Sequence, residues 1–185
     1  MSPPRKLALD ELNRLSVDAF KDALKFPYCL ILDDVRSLNN VGSVFRTADA
    51  FRAETVYLCG ITGTPPHRDI TKTALGATES VRWEYVADVV ALTRQLQTEG
   101  WMIAAVEQAE GSILLSDFQP ESGKRYAFVL GNEVSGVRDD VVQVADLVVE
   151  VPQYGTKHSL NIAVTTGVIC WDFIQKHNKN LILNL

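Results

Sequence analysis

Three polar segments of this chain hold the residues whose types could bind or transform a substrate. Amide, carboxylate and hydroxyl groups can orient a ligand by hydrogen bonds, and a guanidinium can hold an anion in a bidentate manner. Each segment directly follows an apolar run that is typical of a buried strand. Loops at the carboxyl ends of parallel strands form the binding crevice of open α/β sheets, so the three segments predict one shared site. The segments are residues 39–48, 131–136 and 151–161, and their candidate polar side chains are Asn40, Arg46, Glu133, Ser159 and Asn161.

Each segment alone also has a purely structural interpretation. Arg46 lies four residues after Gly42 on a predicted helix, where it could pair with a surface acid. The glycines and asparagine around Glu133 are typical of a turn, and Ser159 is a typical helix N-cap. His158 beside Ser159 does not indicate a hydrolase, because there is no Gly-x-Ser-x-Gly motif and adjacent residues do not easily pair as base and nucleophile. Dinucleotide and Walker-type motifs are also absent from the sequence.

Strands and helices alternate along the chain. The strands are near-continuous apolar runs, which predicts an α/β fold with a mostly parallel sheet and helices on both faces. Apolar residues at helical spacing predict an amphipathic helix over residues 8–25 that covers the sheet or a partner chain. Strands are expected at residues 28–32, 55–59, 81–86, 101–106, 127–130 and 147–151. Helices are expected at 41–51 (capped by Asn39 or Asn40), 69–75, 88–98, 138–143 and 159–175.

Length and composition indicate a single folded domain. The 185 residues are 46% hydrophobic and 22% charged, close to globular averages. No apolar run reaches the roughly 18–20 residues of a membrane span, and residues 1–6 lack the apolar core of a signal peptide, so a cytoplasmic protein is expected. The net charge of −5 argues weakly against nucleic acid as a partner. Basic residues nevertheless lie in or near the polar segments: Arg36, Arg46, Arg52, Arg68, Lys72 and Lys157.

The cysteines do not indicate a metal site or a disulfide framework. Cys29, Cys59 and Cys170 are far apart, lie in apolar surroundings and form no Cys-x-x-Cys motif. We expect them to be buried thiols that act as small apolar side chains. No metal is expected in the site.

Taken in order, the polar segments resemble the SpoU family of RNA ribose methyltransferases, within the SPOUT superfamily. The first carries Asn-x-Gly-x-x-x-Arg-Thr-Ala at 40–48, the second Leu-Gly-Asn-Glu-x-x-Gly at 130–136, and the third Pro-x-x-Gly-x-x-x-Ser-Leu-Asn at 152–161. The sequence Lys-Thr-Ala-Leu-Gly-Ala at 72–77 resembles the middle segment of that family. The resemblance covers roughly residues 28–175. Gln153 stands where the family often has Met, which could adjust contacts with the cofactor.

The resemblance implies a C-terminal trefoil knot that forms a site for S-adenosylmethionine, and a homodimer with the active site near the subunit interface. With the helical pattern near the N-terminus, the expected division is an N-terminal helical extension at residues 1–26, a methyltransferase domain at 27–176 and a tail at 177–185. By position, the residues that would bind the cofactor are Val106, Glu107, Leu130, Gly131, Val151, Pro152 and Leu160.

The implied chemistry is methylation of a ribose 2′-hydroxyl, which needs a base to take its proton. Arg46 matches the base proposed for the family, and it could alternatively orient a substrate phosphate. Asn40 and Asn161 would orient the ribose or support the loops. Ser159 could help to position Arg46, including across the dimer, and Glu133 would brace its loop.

The RNA substrate and the exact reaction stay open at this point. A compact tRNA is favoured over ribosomal RNA, because only the helix at 8–25 precedes the catalytic fold in this sequence. The alternatives are a SPOUT enzyme that methylates a base, a catalytically silent knotted RNA-binding protein, and a small-molecule enzyme with an ordinary α/β fold. The complete set of polar side chains in the three segments argues against the silent protein.

Overall fold

The computed structural model describes residues 3–8 and 10–183, with side chains described up to residue 178. Its strands are β1 Tyr28–Asp33, β2 Val56–Cys59, β3 Trp83–Val86, β4 Trp101–Val106, β5 Ile113–Leu114, β6 Arg125–Leu130 and β7 Leu147–Glu150. Its α-helices are α1 Val17–Asp22, α2 Leu38–Ala50, α3 Arg68–Ala74, α4 Ala77–Ser80, α5 Val89–Thr98, α6 Asp139–Val144 and α7 Ile162–Leu183. The strands form one sheet in the order β3-β2-β1-β6-β4-β7-β5. Every strand pair is parallel, which confirms the predicted sheet.

The centre of the sheet is the pair formed by β1 and β6. All six residues of β1 are buried, as expected for a strand covered on both faces. Leu30 pairs with Phe128 and Leu32 pairs with Leu130. The loops after β1, β6, β4 and β7 therefore leave the sheet at the same edge.

Helices cover both faces of the sheet. On one face, Leu30 and Phe128 pack in a core that includes Phe45 of α2 and Phe173 of α7. On the other face, the alternate residues of the strands, such as Ile31, pack against α5 and α6. Side chains of a strand alternate between its two faces, so these apolar runs supply two cores at once.

The predicted N-terminal helix at 8–25 is wrong in its extent. The described chain there forms a short 3-10 helix at Asp10–Leu12 and the six-residue α1, capped by Ser16. Asn13 has a φ of 48°, a left-handed conformation that interrupts a helix. Phe20 is the buried residue of α1, so the segment lacks the apolar contacts that would hold one long helix.

The boundaries of α2 and α7 also differ from the prediction. The Ser37 hydroxyl accepts a hydrogen bond from the Asn40 N–H and caps α2, so Asn39 and Asn40 lie within its first turn. Helix α7 begins at Ile162 and continues to Leu183, not from 159 to 175. Two short elements, α4 and β5, were not predicted, because four and two residues are too few to show a periodic pattern.

Helices α2 and α3 approach each other closely at Gly42. A Cβ on Gly42 would lie 2.1 Å from the Thr73 Oγ1 and 2.3 Å from the Ile70 carbonyl oxygen. The Thr73 hydroxyl donates a hydrogen bond to the Asn39 carbonyl at 3.0 Å. Gly42 therefore permits the close contact between these two helices.

None of the helices in residues 3–8 and 10–183 combines the length and the apolar character that a membrane crossing requires.

Candidate active site

Glu133 ties the loop after β6 to the start of α2. Its Oε2 accepts a hydrogen bond from the Arg36 backbone N–H at 3.1 Å. Its Oε1 accepts from the Ser37 backbone N–H and from the Asn40 Nδ2, each at 3.1 Å. Free N–H groups and the helix dipole favour a carboxylate at a helix N-terminus. Glu133 thus fixes two loops that lie nearly 100 residues apart in the chain.

The same contacts keep Glu133 ionised. Burial alone would raise the pKa of its carboxyl, but hydrogen bonds from Arg36, Asn40 and Ser37 outweigh that effect, so the pKa lies below its usual value. A carboxylate that accepts several hydrogen bonds suits a brace better than a proton donor.

Asn161 extends this network to the third polar segment. Its Nδ2 donates to the Asn40 Oδ1 at 3.1 Å, and its Oδ1 accepts from the Ala163 backbone N–H at 2.9 Å. Asn161 therefore caps α7, a role that the sequence assigned to Ser159. We refer to Glu133, Asn40 and Asn161 as the polar bridge; it joins all three predicted segments.

A first cavity of about 580 Å³ opens beside the polar bridge. This volume lies within the roughly 300–1,000 Å³ of small-molecule sites. The loops after β4, β6 and β7 and the start of α7 form its walls. The cavity thus lies at the carboxyl edge of the sheet, where the sequence predicts the shared site.

Most of the predicted site residues line the first cavity. Six are predicted cofactor residues: Val106, Glu107, Leu130, Gly131, Val151 and Leu160. Three are predicted catalytic residues: Glu133, Ser159 and Asn161. Pro152 does not line the cavity, although Val151 and Gln153 on either side of it do.

Asn40 reaches the first cavity only through Asn161. It is not among the lining residues, and both functional groups of its amide are used by the polar bridge. An amide with its donor and acceptor both engaged is fixed in one orientation. Asn40 therefore supports the groups that face the cavity.

Arg46 does not line the first cavity of its own protomer. It is exposed on α2, six residues beyond Asn40, which corresponds to about 9 Å along a helix axis. It lines a second cavity of about 460 Å³ between α2 and α3. No hydrogen bond joins Arg46 to Ser159 within the described chain. Sequence spacing placed Arg46 on the correct helix but could not show which cavity it faces.

Glu107 braces the wall of the first cavity. Its Oε2 accepts a hydrogen bond from the Val137 N–H at 2.9 Å, and its Oε1 accepts from the Gln108 N–H at 2.8 Å. Gly136 has a φ of +70°, and a Cβ there would lie 2.1 Å from the Glu107 Oε2. Only glycine satisfies both conditions, so Gly136 allows Glu107 to reach the loop after β6.

Sequence reasoning missed several residues of the wall. Gln108 lines the first cavity, and its Nε2 donates to the His158 carbonyl at 3.3 Å, linking the loops after β4 and β7. Asn132 also lines the cavity, donates to the Asp34 carbonyl at 2.7 Å and accepts from the Val134 N–H at 2.9 Å. Position could have identified both, because each directly adjoins a predicted site residue.

Groups that could hold a metal ion were sought among the described residues, and none with three or more His, Cys, Asp or Glu side chains was found. The three cysteines are free and buried. Burial raises the pKa of the Cys59 and Cys170 thiols to about 12, which suits apolar packing rather than reactivity.

Known proteins are similar in sequence to this chain over most of its length. Residues 27–171 match the SpoU rRNA Methylase family model. A 23S rRNA (guanosine-2′-O-)-methyltransferase RlmB from Ralstonia nicotianae is 30% identical over 166 residues, which cover 89% of this chain and 65% of the relative. RlmB from Escherichia coli K12 is 29% identical over 157 residues, covering 84% and 63%. The chain therefore spans less than two thirds of the length of these curated relatives.

Solved structures share its fold. An AdoMet-bound rRNA methyltransferase from Sinorhizobium meliloti aligns with a TM-score of 0.75 and 26% identity, covering 83% of this chain and 58% of that one. A TrmH/SpoU tRNA-modifying enzyme from A. aeolicus aligns with a TM-score of 0.77 and 24% identity, covering 89% and 81%. The sheet of this chain is thus that of the SPOUT methyltransferases. The family model spans well over half of the residues of this chain. The chain belongs to the SpoU rRNA Methylase family.

Proposed function

We propose that this chain is an S-adenosylmethionine-dependent RNA methyltransferase that modifies a ribose 2′-hydroxyl. The observation that carries the proposal is the polar bridge, which joins side chains of all three segments beside the first cavity. A fixed array of donors and acceptors can orient a sugar hydroxyl for attack. Membership of the family and the names of the relatives support the same class of reaction.

The first cavity suits the cofactor in size and chemistry. S-adenosylmethionine supplies the methyl group when bound. Leu130, Val151 and Leu160 offer apolar surface to an adenine ring, and the adjoining loops offer backbone donors and acceptors. Leu160 is 40% exposed and Val134 is 84% exposed, and both line the cavity. A ligand there would cover apolar surface that otherwise faces water.

Arg46 is the residue that we propose to act on the ribose. A ribose hydroxyl is a poor nucleophile, so a positioned base must accept its proton as it attacks. A free guanidinium stays protonated at neutral pH, so this role requires its removal from water, or a substrate phosphate that takes part in the proton transfer. The alternative role is a bidentate grip on that phosphate. Both roles place Arg46 against the RNA rather than against the cofactor.

A homodimer would bring Arg46 to a complete site. Within one protomer, Arg46 lines the second cavity and not the first. Helix α7 exposes Val164, Val168 and Trp171, at 54%, 37% and 57%, and their spacing of four and three residues places them on one face. A second copy of the chain on this face would bury the apolar stripe and bring Arg46 of one protomer near the cavity of its partner.

The knot and the domain limits are part of the proposal. Residues of the loop after β6 (131–136) and of the segment after β7 (Val151, Gln153 and 158–161) line the same cavity, as expected if the chain after β7 threads the loop after β6. The methyltransferase domain would then comprise residues 27–176. Both tRNA and ribosomal RNA fit, since the curated relatives are named for rRNA and two structural neighbours for tRNA.

Methyl transfer from labelled S-adenosylmethionine to size-fractionated RNA tests the proposal. The RNA would come from cells that lack the protein, and Arg46→Ala would be the control. Digestion and mass spectrometry would then identify the labelled nucleoside. Label in a 2′-O-methylnucleoside of one fraction is the expected result. Label on a base, or no transfer to any fraction by a homogeneous dimer that binds the cofactor, would contradict the proposed reaction.

A further inference from the structure

Two cationic side chains, Arg46 and Lys72, line the second cavity. The reaction proposed above uses only Arg46. The wall of this cavity consists of Ser43, Arg46, Thr47, Ala50 and Phe51 from α2 and Lys72 and Thr73 from α3. Arg46 and Lys72 are the charged side chains of this wall. Both are exposed, and they face one cavity from two different helices. Two like charges are thus gathered on a protein whose net charge is −5.

Neither cation is neutralised by an acid within the described residues. The ion pairs there are Arg5–Glu11, Arg138–Asp140 and Lys176–Asp172. Asp49, the acid of α2, accepts a hydrogen bond from the Ser80 hydroxyl instead. Asp69, the acid of α3, precedes Lys72 by three residues but forms no ion pair with it. The second cavity is therefore a concave surface whose charged lining residues are both cations, an arrangement that attracts an anion.

The packing of α3 against α2 brings Lys72 and Arg46 to one cavity. Gly42 lets the two helices approach until a Cβ would overlap the Ile70 carbonyl. Thr73, which adjoins Lys72, donates its hydroxyl to the Asn39 carbonyl at 3.0 Å. The hydroxyls of Ser43 and Thr47 line the same wall. Hydroxyl groups commonly contact nucleic acid phosphates beside Arg and Lys.

We propose that the second cavity binds a backbone phosphate of the substrate RNA, with Lys72 as the positioning residue that holds it beside Arg46. This inference rests on the proposed function. A ribose 2′-hydroxyl lies next to the 3′-phosphodiester of its own nucleotide, so a grip on that phosphate places the hydroxyl within reach of Arg46. Lys72 supplies a point charge, which leaves the planar guanidinium of Arg46 free to meet the hydroxyl.

The role of Lys72 predicts a specific dependence on salt. A lysine that neutralises one phosphate releases counterions on binding. Its loss therefore reduces the magnitude of the negative slope of log affinity against log salt by about 0.7–0.9. Affinity should fall by roughly tenfold at low salt. Because Lys72 contacts RNA and not the cofactor, the affinity for S-adenosylmethionine should stay unchanged.

Fluorescence anisotropy over a salt series tests this with the full chain and two probes, a bulk tRNA fraction and a bulk rRNA fraction. The variants are Lys72→Gln, Lys72→Arg and the matched control Lys124→Gln. Lys124 is also exposed, but it directly precedes β6 and does not line the second cavity. We expect the lower slope for Lys72→Gln alone, and recovery in Lys72→Arg. In methyl transfer, Lys72→Gln should raise the KM for RNA more than it lowers kcat.

The two proposals fail in different ways. If the wild-type protein methylates ribose but Lys72→Gln binds RNA with an unchanged slope and KM, the phosphate site is wrong and the proposed function stands. If the wild type transfers no methyl group but Lys72→Gln still lowers the salt slope, the proposed function is wrong and the phosphate site stands. Equal loss in Lys124→Gln would also overturn the role of Lys72, since the effect would then be general.

Discussion

Asn161 donates its side-chain Nδ2 to the Asn40 Oδ1 at 3.1 Å, and 121 residues of chain separate the two asparagines. The contact joins the first turn of α2 to the cap of α7, and Glu133 holds it from the other side of Asn40. Because each amide has fixed partners, the polar bridge sets the orientation of Asn161 toward the first cavity.

Two variants at Asn161 should separate its role as a cap from its role in the polar bridge. Asn161→Ser keeps a side-chain oxygen that can accept from the Ala163 N–H, but it cannot replace the hydrogen bond to Asn40. We expect it to retain stability and lose methyl transfer by at least about tenfold. Asn161→Ala should lose both, with about 1 kcal/mol of stability. Thermal unfolding and methyl transfer measure the two effects, and full activity in Asn161→Ser would exclude the bridge from catalysis.

Arg46→Ala should abolish methyl transfer while the affinity for S-adenosylmethionine stays nearly unchanged. The reason is spatial, because Arg46 lines the second cavity and the cofactor is proposed to bind in the first. Calorimetric titration with the cofactor and a transfer assay with RNA measure the two quantities separately. Wild-type turnover by Arg46→Ala would remove it from the reaction, and lost cofactor binding would contradict the separation of the cavities.

Asp33 should make the protein less stable as the pH rises. It is 1% exposed, and neither carboxylate oxygen has a hydrogen-bond partner among the described residues. Burial, together with the neighbouring Asp34 carboxylate, raises the pKa of Asp33 from 3.8 to about 6, although Arg138 offsets part of the shift. The folded state therefore disfavours the charged form. At pH values below about 3.8, the pKa in the unfolded chain, Asp33 is protonated in both states and does not destabilise the fold. Above pH 6 its ionisation lowers the free energy of unfolding by roughly 3 kcal/mol.

The test of this effect is Asp33→Asn, which cannot ionise. It should be more stable than wild type at pH 8 and lose that advantage near pH 4. Urea unfolding at the two pH values measures the difference, because all other titrating groups are shared. An advantage that does not change between pH 8 and pH 4 would mean that ionisation of Asp33 is not its source.

Gly42→Ala should destabilise the protein by about 1–3 kcal/mol, the usual range for overpacking. The new Cβ would lie 2.3 Å from the Ile70 carbonyl oxygen, which cannot move without displacing α3. Gly155→Ala is the matched control, because nothing lies within 4 Å of the position of its Cβ and its backbone is not left-handed. We expect Gly155→Ala to be neutral in thermal unfolding. Equal stability of the two variants would argue that α3 does not pack as described.

Trp171→Glu should convert the proposed dimer into monomers. Trp171 is 57% exposed in one protomer and contacts Phe51 edge-on at 6.2 Å between ring centroids. A charge placed in an apolar interface is costly to bury. Sedimentation at micromolar concentration should give a dimer for wild type and a monomer for the variant, with methyl transfer lost in the monomer. A wild-type monomer with full activity would refute the interface-built site.

The sequence predicted the sheet and the shared edge more reliably than the positions of single side chains. Runs such as residues 101–106 matched their strand because both faces are buried, which leaves an unambiguous apolar pattern. The cap of α7 was assigned to Ser159 instead of Asn161, because hydroxyl and amide caps are equivalent in sequence. The partner of Asn40 is set by tertiary contacts between distant segments, and no local pattern contains that information.

The pairing of β1 with β6 also has a consequence for synthesis on the ribosome. Tyr28 pairs with Tyr126 and Leu32 with Leu130, so the centre of the sheet requires residues that emerge about a hundred positions later. Pairing at such sequence separation slows folding, since a long loop must close before its contacts form. The edge of β1 that pairs with β6 therefore has no partner strand until β6 has left the exit tunnel. During that interval the emerging chain presents an apolar strand edge, on which a chaperone would be expected to act.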